Sequence, residues 1–123
     1  MQLMETQTLI LNVNSENPAA LIAFYRDVVG LTPEPNVGDG GFKIADTAMF
    51  IIDGHDDVKG KTKEAPRYLI DFVVSDIASE QARLEAAGVA CHRVMGREPW
   101  GGIISTFSDP DGNYFQLVQY NQE

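Results

Sequence analysis

The sequence predicts an α+β fold made of two copies of one unit, a strand, a helix and three further strands. Three observations predict it. A helix pattern occurs twice, from Asn17 to Gly30 and from Asp76 to Gly88, and each copy ends in a glycine followed by an apolar residue, Gly30-Leu31 and Gly88-Val89. Each copy is preceded by one strand pattern and followed by three short ones. The helices stand apart from the runs of strands instead of alternating with them, which argues against a doubly wound parallel sheet. A repeat of about sixty residues means two homologous halves, packed so that each hides a face it could not hide alone.

The elements follow in order. Thr8 to Asn14 alternates, with Leu9, Leu11 and Val13 apolar and Thr8, Asn12 and Asn14 polar, so it reads as a half-buried strand. Asn17-Pro18 supplies an N-cap and a proline suited to the first helical turn. Leu21, Phe24, Tyr25 and Val28 then share one helix face, and Gly30 closes the helix, which is expected over about 18–29. Pro33 and Pro35 confine Leu31 to Val37 to an edge strand or irregular chain. After the Gly38-Asp39-Gly40-Gly41 turn, Phe42 to Ala45 and Ala48 to Asp53 form a hairpin around Asp46-Thr47. The first module therefore spans about residues 6–54.

Residues 55–65 are polar and aperiodic and read as an exposed, mobile linker. The second module, about 66–121, repeats the pattern within what is expected to be a single domain, 1–123. Tyr68 to Val74 is a strand, and Ser75 or Asp76 caps a helix over about 76–87. Val89 to Met95 and Ile103 to Ser108 are strands around a Glu98-Pro99-Trp100-Gly101-Gly102 turn. Asp109-Pro110-Asp111-Gly112-Asn113 is a tight turn before the closing strand, Tyr114 to Tyr120.

Composition excludes several functions. Nine basic residues are scattered among eighteen acidic ones, for a net charge of −9. Nucleic-acid binding needs a basic face, and this field would repel the polymer. An acidic surface favours cationic small molecules, although it also serves plain solubility. No apolar run nears the roughly 20 residues of a membrane span. MQLMETQTLILNV has no basic start and no cleavage pattern, so no signal peptide is expected and a cytoplasmic setting is. The single cysteine, Cys91, rules out an intrachain disulfide and reads as a small buried hydrophobe.

Three motifs, in order along the chain, make the resemblance specific. Ala23-Phe24-Tyr25-Arg26-Asp27-Val28-Val29-Gly30-Leu31 resembles the FYxxxLG helix of the vicinal oxygen chelate superfamily, the glyoxalase/bleomycin-resistance/dioxygenase group. Phe107-Ser108-Asp109-Pro110-Asp111-Gly112-Asn113 resembles its FxDPDGN hairpin, and Trp100-Gly101 stands where many members carry Trp-Gly. The resemblance covers essentially the whole chain. It implies two βαβββ modules whose curved mixed sheet encloses one trough for a small ligand, and a homodimer.

The resemblance also implies where metal ligands would stand, namely on inward-facing positions of the first strand of each module and of the last strand. Strand alternation carries this over to Thr8, Leu69 and Gln116. Leucine ligates nothing, a threonine hydroxyl is a poor donor, and glutamine brings no charge, so neither a metal nor any other cofactor is expected. The same alternation places Asp71 and Tyr114 toward the trough, and Phe50 is added as an aromatic lining residue. Asp71 would receive a cationic group or pair with Arg67 or Arg97. Trp100 would be a stacking wall left open by its glycines, or would pack on its own hairpin.

Other candidates carry less. His55 with Asp53, Asp56 and Asp57 reads as a polar loop. His92 and Cys91 are strand neighbours pointing to opposite faces, which excludes a catalytic pair. No catalytic residue is assigned. The expected function is therefore metal-free binding of a small molecule, in the manner of the family's branch that sequesters cationic aromatic antibiotics. A lyase or dioxygenase is the alternative, and an accessory or regulatory domain the third.

Overall fold

A computed structural model describes residues 2–120. The expected end of the second module at residue 121 lies outside them. The chain forms two compact units that divide at Gly60 and Lys61, inside the expected linker.

The first unit is a four-stranded mixed sheet in the order β1-β4-β3-β2, from β1 (Leu9–Ser15), β2 (Thr32–Pro33), β3 (Gly41–Ala45) and β4 (Ala48–Gly54). β1 runs parallel to β4 with Leu11 beside Phe50 and Val13 beside Ile52. This pairing turns those four apolar side chains to the helix side. The helix begins as α1 (Pro18–Ala23), with the Asn17 side chain accepting from the Ala20 amide. Where one regular α-helix was expected to reach residue 29, residues 24–29 widen into π-helical turns. The widening ends where the Gly30 amide donates to the Tyr25 carbonyl five residues back, at 3.0 Å, with Gly30 left-handed at φ 87°. Leu21 and Tyr25 reach the interior, where the Tyr25 ring lies 4.8 Å from that of Phe50 and Phe42 closes on Phe50 edge to face. Pro33 and Pro35 shorten β2 to two residues at the sheet edge, because neither can donate to a ladder.

The second unit repeats the order as β5-β8-β7-β6, from β5 (Ile70–Val73), β6 (Cys91–Arg97), β7 (Ile103–Ser108) and β8 (Tyr114–Gln119). β5 is parallel to β8 with Ile70 beside Phe115 and Phe72 beside Leu117. The helix α2 (Ile77–Ala86) lays Ile77, Gln81 and Leu84 inward. Asp76, not Ser75, is its N-cap and accepts from the Ser79 amide. A second cap comes from the sheet: the Gln119 side-chain oxygen, Oε1, accepts from the Ile77 amide at 2.8 Å. Phe107 and Phe115 stack at 5.4 Å beneath the helix. The Asp109 carboxylate closes the β7–β8 turn by accepting from the Asp111 and Asn113 amides, the arrangement anticipated for this aspartate-proline turn.

The segment between the sheets is exposed, and it is tied at both ends. Glu16 accepts from the Gly60 amide, and Thr62 donates to the Asp111 carbonyl and bonds the Asn113 side chain. No helix among the described residues is long and apolar enough to cross a membrane.

The Gly40 carbonyl accepts from the Ile52 amide, and a Cβ on Gly40 would meet the Ile52 carbonyl oxygen. Backbone would have to move, so Gly40→Ala should cost about 1–3 kcal/mol. For a chain of this size that is a fall of roughly 3–15 °C in Tm by differential scanning calorimetry. An unchanged Tm would show that the turn gives way freely.

Candidate functional site

The candidate site lies on the side of the second sheet away from α2. Phe115 and Leu117 of β8 and Phe107 of β7 face the helix, so Tyr114, Gln116 and Val118 of β8 and Ile104, Thr106 and Ser108 of β7 point to this far face. On β5 the buried Ile70 sets the same alternation and sends Asp71 and Val73 there, and Leu69, which just precedes the strand, continues that alternation.

Registered pairs make rows across this face. Asp71 stands beside Gln116, Gln116 beside Thr106, and Thr106 beside Arg93. The Gln116 amide donates to the Thr106 hydroxyl at 2.8 Å. The next row holds Val73, Val118 and Ile104, and the one on the other side holds Tyr114, Ser108 and His92. Leu69 and Val73, which flank Asp71, are 45% and 58% exposed, so the carboxylate sits between two apolar side chains.

Neither arginine proposed as a partner reaches Asp71. Arg67 pairs with Glu64, and Arg97 donates to the Gly101 carbonyl at 3.3 Å. Among the described residues Asp71 has no hydrogen-bond or ion-pair partner. Asp71 is exposed, and the partial desolvation of its carboxyl by its surroundings raises its pKa above the ordinary value.

Trp100 packs on its own hairpin, the second of the two roles considered for it, and keeps part of its ring exposed. One side of the ring lies on Gly102, close enough that a Cβ there would fall within the ring. The residue is still 51% exposed and tilts against Tyr120 at 5.6 Å between centroids. Alternation along β8 sends Tyr120 to the far face, so this aromatic pair stands at one end of it. The Trp100–Tyr120 pair and Asp71 are not in contact. Tyr120 follows the end of β8, four positions on from Gln116, which stands beside Asp71, a span of about 13 Å in extended chain.

Phe50 is a correction. It is 1% exposed and packed between Tyr25 and Phe42 in the interior of the first unit. Its register beside Leu11 turns it toward the helix, so it lines no ligand site. Thr8 is exposed and just precedes β1, next to the Leu9 amide bonded to the Thr47 carbonyl.

Three residues of this face were not among the predicted site residues, His92 having been weighed only as a catalytic partner of Cys91. His92 stacks on Tyr114 at 4.8 Å with its Nε2 3.1 Å from the Ser108 hydroxyl, while Cys91 turns the other way toward Gln81, so the two neighbours do oppose one another. Arg93 lies over Gly96 and holds Glu98 at 2.5 Å. Tyr120 backs Trp100. Alternation through the β6 segment was the available signal for His92. The register shifts in β6, with Met95 at φ 40°, blur it from Arg93 onward.

The donor set does not suit a first-row divalent ion. Leu69 has no donor atom, and Gln116 offers only an uncharged amide oxygen. Among the described residues no three His, Cys, Asp or Glu side chains come together in a way that could hold a metal.

The fold can now be set against known proteins. The family model for the Glyoxalase/Bleomycin resistance protein/Dioxygenase superfamily matches residues 8–117. The chain belongs to that superfamily. Its fold is similar to that of a glyoxalase/bleomycin resistance protein/dioxygenase family enzyme from Burkholderia phytofirmans PsJN, with a TM-score of 0.72 at 16% identity, covering 91% of this chain and 97% of that one. A superfamily member from Sphaerobacter thermophilus DSM 20745 is similar at a TM-score of 0.71 and 21% identity, over 95% and 99% of the two chains. A glyoxalase family protein from Bacillus anthracis gives 0.69 at 20%, over 98% of each. These likenesses concern the fold. No protein of curated function matches the sequence.

Two predictions follow from the geometry. Gly102→Ala should keep the fold, since Gly102 is not at positive φ, but push the Trp100 ring off its seat. Tryptophan emission should shift while far-ultraviolet circular dichroism stays constant, and an unmoved emission maximum would refute the seating. Asp71 has its pKa raised on folding, so its ionised form is disfavoured in the folded state. Its contribution is most favourable below the ordinary carboxylate pKa and is lost as pH rises through the raised value. Asp71→Asn should therefore match wild type near pH 3 and equal or exceed its Tm at pH 7. A mutant that loses Tm on going to neutral pH relative to wild type would show the carboxylate to be stabilised instead.

Proposed function

We propose that this protein binds a small organic cation without a metal, on the far face of its second sheet, and that sequestration of a cationic aromatic antibiotic is its role. Asp71 holds the positive charge and Trp100 with Tyr120 stacks on a flat ring. The observation that carries this reading is the partnerless Asp71 carboxylate, set between Leu69 and Val73. The Asp71 side chain is exposed and only partly desolvated, so a ligand ammonium or guanidinium can reach it and supply the partner that no described residue provides. The half-exposed Trp100 ring adds a planar surface at a fixed place. The net charge of −9 draws cations toward the surface.

Thr8, Leu69 and Gln116 support the metal-free part, because together they bring no charged donor. Elemental analysis after dialysis against excess zinc, iron or manganese should find no stoichiometric metal. About one retained equivalent would revive the lyase or dioxygenase reading.

Binding is read from Trp100, the only tryptophan in the chain, by a fluorescence screen of cationic aromatic antibiotics with bleomycin-like compounds first. Trp100→Ala, followed by calorimetry, should weaken a hit roughly 30-fold, about 2 kcal/mol. Asp71→Asn should weaken cationic ligands and spare neutral ones of the same shape. Hits that bind both variants as tightly as wild type would overturn the site.

A further inference from the structure

We propose that the far face carries a second aromatic subsite, the His92–Tyr114 stack, so that the ligand is an elongated cation with a planar ring at each end. The inference rests on the reading of Asp71 and Trp100 above and extends it to the shape of the molecule bound.

The two subsites sit on one strand. Tyr114 begins β8, and Tyr120 follows its last residue, Gln119. Six residues of extended chain span about 20 Å. His92 and Tyr114 lie nearly parallel, 28° between planes and 4.8 Å between centroids. The hydroxyl of Ser108, which pairs with Tyr114 across β7 and β8, bonds His92 Nε2. The imidazole is therefore held in plane by its stack and in rotation by its hydrogen bond. A pre-oriented ring costs little to order on binding, and it is the kind of surface on which a flat group gains.

Charge falls between the rings. Asp71 stands beside Gln116, two residues from Tyr114 and four from Tyr120, or about 7 and 13 Å along the strand. Val73, Val118 and Ile104 form an apolar row on the Tyr120 side of it. The matching molecule has its cation about one third of the way from the ring at the His92 end, and an apolar linker beyond.

The test uses a secondary amine bearing a naphthyl group at each end of an alkyl chain, ring centres about 20 Å apart when extended, and its one-ringed half. The two-ringed amine should bind wild type about 3- to 10-fold more tightly than the half, the gain of one added stack. His92→Ala should erase that gain and leave the half unaffected, and His92→Phe, which keeps a flat ring, should restore most of it. In proton NMR the imidazole resonances of His92 should move upfield with the two-ringed amine only. The one other histidine, His55, belongs to the first unit and serves as the reference. Equal binding of both amines, with His92 signals unmoved and His92→Ala without effect, would overturn the second subsite and leave the proposed function standing. Failure of the one-ringed amine to bind wild type, or its indifference to Trp100→Ala and Asp71→Asn, would overturn that function and this inference with it.

Discussion

The second sheet can hide Phe107, Phe115 and Leu117 on one side only, and the placement of the candidate residues on its other side depends on that constraint. Side chains alternate along a strand, so burying these three beneath α2 commits Tyr114, Gln116, Val118 and Thr106 to the other side. A slip of one residue would exchange the two sets and put a glutamine and a threonine against Leu84. The apolar contacts at Phe115 and Phe107 thus hold the register on which the position of Asp71 depends, although neither ring touches the site. The parallel pairing of β5 with β8 completes the arrangement, since it sets Asp71 beside Gln116.

Glycines do the finer positioning. Trp100 and Arg93 each fold back over a glycine, Gly102 and Gly96, where a methyl group would collide with them. In both cases a bulky side chain lies close along the sheet because a nearby residue has no Cβ. The tryptophan thereby keeps one side on the protein and leaves the rest for another molecule, and the arginine is brought to Glu98. These seats are local and need no long-range contact.

The two units use the same plan and differ in what their far faces hold. In the first, the side chains opposite the core include Ile10 and Asn12, with Asn12 donating to Asp53 at 3.1 Å. That aspartate has a partner, whereas Asp71 has none among the described residues. Duplication explains the shared order of strands, and the proposed binding residues are polar and aromatic side chains that the second sheet carries away from its core.

The order of elements, the caps at Asn17 and Asp76, the left-handed Gly30 and the hairpin at Asp109 were all legible in the sequence, because each is decided by neighbours within a few residues. Strand alternation also carried Asp71, Gln116 and Tyr114 to their face. Phe50 was misplaced because an aromatic residue on an apolar strand suits either side, and only its register beside Leu11 shows which. The π-helical widening at residues 24–29 escaped detection, since its apolar spacing also fits a regular helix. The partnerless state of Asp71, the stack of His92 on Tyr114 and the support of Trp100 by Tyr120 join residues far apart in the chain or depend on where side chains turn. Hydrogen bonds and ring contacts of that kind are settled by distance in space, and the tertiary structure alone decides them.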